Sequence, residues 1–207
     1  MTYTECALTY KFFGPHEGIL YGRFGLLDRM RAYKVRPATN EPPGKFETGT
    51  QNHEGIAGTL AAVNHLAEIG ERYGAGYRNR YPGLSGRRLN LKTGMSALRA
   101  YDADLGAAIL DELETLPGVR IHGIADRSRL SERVPTVSFT WQDRHPREIA
   151  AALGKQGIFV WDGNYYALAV TTRLGLEGKG GMVRIGAAFY NTLDEIHRLG
   201  DALRTLV

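Results

Sequence analysis

The 207-residue sequence has little cysteine, no long apolar run and no paired histidine motif. The single cysteine, Cys6, cannot form an internal disulfide, which fits a reducing compartment and excludes a cysteine-based metal site. No run approaches the roughly 18 apolar residues of a membrane helix, and residues 1–10 lack the basic and apolar regions of a signal peptide. The six histidines show no HxH or HxxxH spacing. We therefore expect a cytoplasmic protein that has no membrane segment and binds no metal ion.

The basic character of the chain allows two interpretations. The formal net charge is +4, and the segment from Arg72 to Arg88 alternates arginine with tyrosine, as single-strand nucleic-acid binders do. The same segment contains Gly and Pro residues that are typical of turns, so it also fits a solvated connector. We favour the connector and expect no nucleic-acid partner.

Five elements are predicted before Pro117. Strands are expected at Thr2–Tyr10 and Gly18–Gly22, followed by a short helix around residues 26–33 that ends before Pro37. Asn52 is a good N-cap for a helix over residues 53–70, with an apolar stripe at helical spacing. We expect the basic connector to continue to Gly94, where Ser96 would cap a second long helix that Pro117 ends.

The last ninety residues or so alternate strands with helices, which predicts a compact α/β sandwich. The predicted strands are 119–124, 136–141, 158–161 and 183–187. Helices are predicted over 146–156 and after Thr192, where Thr192 and Glu195 would form a capping box.

Two local patterns could carry chemistry. Lys11 is followed by aromatic residues, Gly14-Pro15 and an apolar run, a setting that could desolvate its amine and make it a Schiff-base partner for a carbonyl. The alternative is a lysine that reaches solvent beside a packed turn. Downstream, Gly49-Thr50-Gln51 precedes the helix capped by Asn52, so free N–H groups and a hydroxyl could bind an anion there, unless they serve only as a cap.

Three ordered segments together resemble the class V aminotransferase family, and within it the cysteine desulfurase-like branch. They are YKFFGPHEGILYGR around Lys11, FETGTQNHEGIAGTLAAVNHLAEIG around Thr50 and MVRIGAAFYNTLDEIHRL around Arg184. The resemblance implies an α/β protein of the pyridoxal phosphate (PLP)-dependent transferase fold type I. Residues 1–95 would be a remnant of the PLP-binding large domain, and residues 96–207 a long linking helix with the small C-terminal α/β domain.

The resemblance also implies roles for individual residues. Lys11 would be the Schiff-base lysine, Thr50 of the Gly-Thr-x-Asn motif would donate to the phosphate of the neighbouring subunit's cofactor, and Thr9 would lie near the cofactor. Arg184 would bind the carboxylate of a small amino-acid substrate, because a planar guanidinium pairs with both carboxylate oxygens; read without the resemblance, Arg184 is a surface arginine on an edge strand. Asn164 would also contact the substrate, and the expected assembly is a homodimer.

The sequence departs from the family pattern in two places. Where desulfurases carry a nucleophilic cysteine on a mobile loop, residues 163–167 read Gly-Asn-Tyr-Tyr-Ala, so Tyr166 stands at the cysteine position and Trp161 where an arginine is often found. Persulfide chemistry is therefore not expected. Only ten residues precede Lys11, where the family has most of its cofactor domain. The alternative to a complete enzyme is therefore a C-terminal portion that works with a complementary N-terminal chain.

Overall fold

The computed structural model describes residues 4–47 and 49–207, with only the backbone of residues 4–6. It divides into two compact units, residues 1–95 and 96–207, and the boundary falls inside one long helix. Among the described residues, no helix combines the length and the apolar character needed to cross a bilayer.

The first unit begins with a hairpin and continues with helices. Strands β1 (Thr4–Leu8) and β2 (Gly18–Gly22) pair antiparallel, and a 3-10 helix at Thr9–Phe12 lies between them. The helices that follow are α1 (Phe24–Arg29), α2 (His53–Tyr73) and α3 (Gly86–Glu114), with 3-10 turns at Gly44–Phe46 and Ala75–Arg80. The prediction for β2 is confirmed. Residues 2 and 3 of the predicted first strand lie outside the described residues.

Helix α3 begins ten residues earlier than the Ser96 cap predicted from the sequence, so the connector does not continue to Gly94. The reason is a close approach of α2 and α3. A Cβ atom at Gly70 would collide with the carbonyl of Asn90, and one at Gly94 would collide with the carbonyl of Leu66. Gly94 is thus a contact residue inside a helix, because only glycine lets the two backbones come this close.

The second unit is a four-stranded antiparallel sheet, and three of its helices share a hydrophobic core with the sheet. Its strands are β3 (Val119–His122), β4 (Thr136–Trp141), β5 (Trp161–Gly163) and β6 (Met182–Gly186), in the order β3-β4-β6-β5. The helices are α4 (Pro146–Gly154), α5 (Leu168–Arg173) and α6 (Leu193–Arg204), together with the second half of α3. Val137, Phe139 and Trp141 alternate into the core as predicted, while Ser138 and Thr140 lie on the other face.

Most of the predicted elements of this unit are confirmed, with shifted ends. The capping box of Thr192 and Glu195 is present at the start of α6. The strand predicted at residues 158–161 instead starts at Trp161, because Gly157 (φ 72°) and the turn after α4 extend further than the apolar pattern suggests. Helix α5 was not predicted, because a helix of only six residues is too short to show the apolar spacing by which helices are recognised in a sequence.

Candidate functional site

Lys11 lies in the 3-10 turn between β1 and β2, and its side chain is exposed. Its Nζ atom is 4.9 Å from the centroid of the Tyr10 ring. Two apolar neighbours in the hairpin are also open to solvent, Phe13 at 51% and Leu20 at 61% exposure. The prediction that the Lys11 amine is desolvated is therefore wrong for this chain by itself, because the described residues of the hairpin do not cover the amine.

Thr9 has a structural role in the turn that presents Lys11. It is fully buried, and its hydroxyl donates a hydrogen bond to the carbonyl of Pro15. Its backbone carbonyl accepts from the N–H of Gly14 at 2.9 Å. The structure therefore does not support Thr9 as a cofactor ligand, since its hydroxyl proton is used inside the turn and no surface of the residue is open.

The start of α2 has the form of an anion site. Asn52 caps the helix by accepting from the N–H of Gly55 at 3.1 Å, as predicted. Before it, Gly49 adopts a left-handed conformation (φ 73°) and Thr50 is exposed, so the Thr50 hydroxyl is free to meet a ligand at the positive end of the helix. The acidic Glu54 in the first turn offsets part of that positive potential.

A side-chain contact joins the Lys11 hairpin to this helix start. The amide of Asn52 donates to the carboxylate of Glu17 at 2.6 Å, and Pro15 lies against Gly58 in the second turn of α2. The first unit thus holds the segment that carries Lys11 next to the segment that carries Thr50.

Lys45 is a second notable lysine, and sequence reasoning missed it. It is buried with 6% exposure, and its Nζ atom donates to the carbonyls of Asp28 at 2.7 Å and Met30 at 3.0 Å. Because its charge is satisfied by these backbone groups, Lys45 holds the loop after α1 and offers no free amine. No local pattern signals this, since both acceptors are more than ten residues away.

In the second unit, Arg184 lies half-buried on β6 and close to two aromatic rings. Its guanidinium carbon is 4.8 Å from the ring centroid of Tyr165 and 5.6 Å from that of Trp161, its cross-strand partner on β5. Within the part of the chain that the structure describes, its side chain has no hydrogen bond or ion pair. A half-buried guanidinium that lies near two aromatic rings and has no hydrogen-bonding or anionic partner among the described residues is suited to an anionic ligand.

Tyr165 lies at a strained backbone position beside Arg184. Its φ is 52°, and its hydroxyl oxygen is buried with no hydrogen-bond partner among the described residues. Burial raises the pKa of Tyr165 well above its ordinary value, and the nearby Ser138 and Arg184 offset this only in part. Ser138 is thus close enough to act on the phenol electrostatically, but no hydrogen bond of proper geometry joins the two hydroxyls.

Asn164 is engaged within its own loop. Its amide donates to Glu177 at 2.9 Å, and its side-chain oxygen accepts from the N–H of Tyr166 at 3.2 Å. Glu177 in turn accepts from the buried hydroxyl of Thr171. Asn164 therefore fixes the loop, and both ends of its amide are occupied. Tyr166 is fully exposed.

These loop residues enclose a cleft of about 360 Å³. The residues that line it are Trp161, Asp162, Gly163, Asn164, Tyr165, Tyr166, Glu177, Gly180 and Gly181. The two rings that contact Arg184 thus also form part of the cleft wall. Among residues 4–47 and 49–207, no group of three or more His, Cys, Asp or Glu side chains is placed to hold a metal ion.

Solved structures with this fold are known. An apo cysteine desulfurase from Thermococcus onnurineus NA1 superimposes with a TM-score of 0.70 at 24% identity, over 99% of this chain and 46% of that one. The cysteine desulfurase CsdA from Escherichia coli gives 0.66 at 22% identity, over 97% of this chain and 45% of that one. The fold is therefore that of part of these two cysteine desulfurase structures.

The sequence assigns the family. The model of the family described as aminotransferase class-V matches residues 86–199, more than half of the chain. A cysteine desulfurase from Synechococcus elongatus is 29% identical over 95% of this chain and 28% of its own length. Another from Serratia proteamaculans is 26% identical over 95% of this chain and 44% of its own length. The chain belongs to the aminotransferase class-V family, and it spans less than half the length of these relatives.

Enzymes of this family use PLP, and two side chains of the first unit have functional groups that match the chemistry of PLP. Lys11 offers an accessible primary amine to an aldehyde, and the Thr50 hydroxyl at the start of α2 suits a phosphate. The structure places Lys11 and Thr50 in the first unit, and Arg184 and Asn164 in the second.

Proposed function

We propose that this chain forms part of a PLP-dependent enzyme that acts at the α-carbon of an amino acid. The half-buried guanidinium of Arg184, which contacts two aromatic rings and has no anionic partner among the described residues, carries the proposal. It provides a carboxylate site in a chain whose family uses PLP. PLP, when bound, supplies an electron sink for the bonds of the substrate α-carbon.

Each proposed residue has one task. Lys11 would hold the cofactor through its amine, and the same amine would move the proton at the substrate α-carbon, which requires an amine that can be neutral. Since Lys11 is exposed in this chain, the layer that dries it has to come from another part of the assembly. Thr50 would donate its hydroxyl proton to a phosphate oxygen of the neighbouring subunit's cofactor, and Arg184 would bind the substrate carboxylate through two parallel N–H groups.

We do not propose persulfide formation for this chain. The loop position that carries the cysteine in desulfurases is Tyr166 here, and a phenol oxygen cannot accept a sulfur atom as a thiolate does. Transamination and elimination at the amino-acid carbon remain compatible with Lys11 and Arg184, because neither reaction needs a second nucleophile.

The test is the visible absorbance of the purified chain during titration with PLP. We expect a new absorbance band that is lost in Lys11→Ala and weakened in Thr50→Ala. Lys155→Ala is the matched control, because Lys155 is an exposed lysine at the end of α4. A spectrum that does not change between the unaltered chain and Lys11→Ala would contradict the cofactor assignment.

A second candidate function is that of a partial enzyme that needs a complementary chain. Several apolar side chains of the first hairpin and α1 face solvent, including Leu20 at 61%, Tyr21 at 54% and Phe24 at 65% exposure. A two-stranded hairpin is rarely stable without further strands or helices packed on it. Reading the DNA upstream of the first codon tests this, since strands encoded there or in an adjacent gene would complete the cofactor domain.

A further inference from the structure

We propose that the Arg184 site selects a substrate with an aromatic side chain, and that Trp161 is the residue that makes the selection. This inference rests on the proposed role of Arg184 in binding the substrate carboxylate, and it narrows the class of substrate. The substrate class differs from the small amino acid that the family resemblance implies.

The position of Trp161 on the sheet is the first observation. Trp161 and Arg184 are directly opposed on β5 and β6, so their side chains leave the same face of the sheet. The guanidinium lies over the Trp161 and Tyr165 rings. Cation–π contact of this kind does not use the N–H groups of a guanidinium as hydrogen-bond donors, and the Arg184 side chain has no hydrogen bond among the described residues, so these groups can bind a carboxylate.

The second observation is the surface that Trp161 keeps. Its side chain is 59% exposed although it contacts Arg184, and it lines the cleft together with Tyr165 and Tyr166. A carboxylate bound at the guanidinium edge brings the α-carbon substituent within reach of this indole. A methyl or thiol group would cover little of the ring, whereas an aromatic group can stack on it and remove apolar surface from water.

The aromatic wall is also held in place before any ligand arrives. The loop that carries Tyr165 is fixed by the hydrogen bonds of Asn164 and Thr171 to Glu177. At its base, Gly181 lies so close to the carbonyl of Gly163 that a Cβ atom would not fit. A surface that is already ordered loses little entropy on binding, so the free energy gained from contact with an aromatic ligand increases the affinity for that ligand.

A simpler role for Trp161 is to orient Arg184 and nothing more. The two roles differ in what Trp161→Ala does to a pair of ligands. An orienting residue affects every carboxylate equally, whereas a selecting residue affects only the aromatic one.

The experiment is a two-dimensional NMR titration of the full chain with phenylalanine and with alanine. The chain has two tryptophans, and the indole N–H of Trp141 is buried and donates to Pro117 at 2.9 Å. The second indole signal therefore reports the Trp161 site directly, without cofactor or turnover. Phe159→Ala is the matched control, because it removes an aromatic side chain that is 88% exposed and does not line the cleft.

We expect phenylalanine to shift the Trp161 signal and to bind roughly threefold to tenfold tighter than alanine, as one aromatic contact provides. Trp161→Ala should remove that preference and leave alanine binding within about twofold, and Phe159→Ala should change neither ligand. Equal affinities in the unaltered chain, or an equal loss for both ligands in Trp161→Ala, would overturn the selection.

The failure of the underlying function would look different. If neither ligand binds, or if Arg184→Gln leaves binding intact, the carboxylate role of Arg184 is wrong and the selection falls with it. The PLP titration of Lys11→Ala tests the cofactor role independently of either result.

Discussion

Replacing Tyr165 with phenylalanine should stabilise the second unit. The Tyr165 hydroxyl is buried without a hydrogen-bond partner among the described residues, and such a group costs roughly 1–3 kcal/mol of folding free energy. Tyr165→Phe removes that group but keeps the ring that contacts Arg184. We expect an increase in the free energy of unfolding of about 1 kcal/mol, the lower end of that range, since Ser138 compensates part of the cost.

Urea unfolding followed by tryptophan fluorescence measures this effect. Both tryptophans belong to the second unit, so the signal reports the unfolding of that unit. Tyr166→Phe is the matched control, because the Tyr166 side chain is fully exposed and its hydroxyl is open to water. The control should change stability by less than about 0.5 kcal/mol.

The stability difference between Tyr165→Phe and the unaltered chain should also depend on pH. Burial raises the pKa of Tyr165 in the folded state, so ionisation adds no further cost to folding while the pH stays below the unfolded pKa of about 10. Above that pH the phenol ionises more readily in the unfolded chain, so the unaltered chain loses stability as the pH rises towards the folded pKa. The advantage of Tyr165→Phe should therefore widen above about pH 10. A variant that loses 1 kcal/mol or more at neutral pH would show that the hydroxyl is bonded and would refute the reasoning.

Two further predictions concern the contact between α3 and α6. Burial alone would raise the pKa of Glu112, but hydrogen bonds from His197 and Arg204, both at 2.7 Å, outweigh it and lower the pKa. Glu112→Gln should therefore cost up to about 1 kcal/mol at pH 7, because both partners are largely exposed. Thermal unfolding should show this cost fading as the pH falls below about 4, and a cost that persists in acid would contradict the pairing. A Cβ atom at Gly200 would displace the Glu112 carboxylate. Gly200→Ala should therefore already break the pairing, so that adding Glu112→Gln lowers the free energy of unfolding no further. If the two changes instead lower it by the full sum of their separate effects, the contact is contradicted.

Local sequence signals predicted the parts of the fold that depend on neighbouring residues. Asn52 as a helix cap, β2 over Gly18–Gly22 and the capping box at Thr192 each need only the residues within one turn or one strand. The prediction that Ser96 caps the helix was wrong, because α3 begins earlier and contacts α2 through pairs such as Gly70 with Asn90 and Leu66 with Gly94, which are far apart in the sequence. A serine followed by a periodic pattern does not reveal such a contact.

The candidate site was predictable only as separate residues. Motifs pointed to Lys11, Thr50 and Arg184, but they did not show that Thr9 is buried in a turn or that Asn164 is engaged in its loop. The aromatic neighbours of Arg184 depend on the register of β5 against β6 and on a left-handed loop residue, neither of which is visible in local patterns.

The most direct test of the central claim is to find where PLP attaches to this chain. The chain is mixed with PLP, reduced with borohydride, digested with a protease and analysed by peptide mass spectrometry. Lys45 is an internal comparison, because it is buried and hydrogen-bonded to two backbone carbonyls. We predict that the stable adduct is on Lys11. An adduct on other lysines with Lys11 unlabelled would contradict the account.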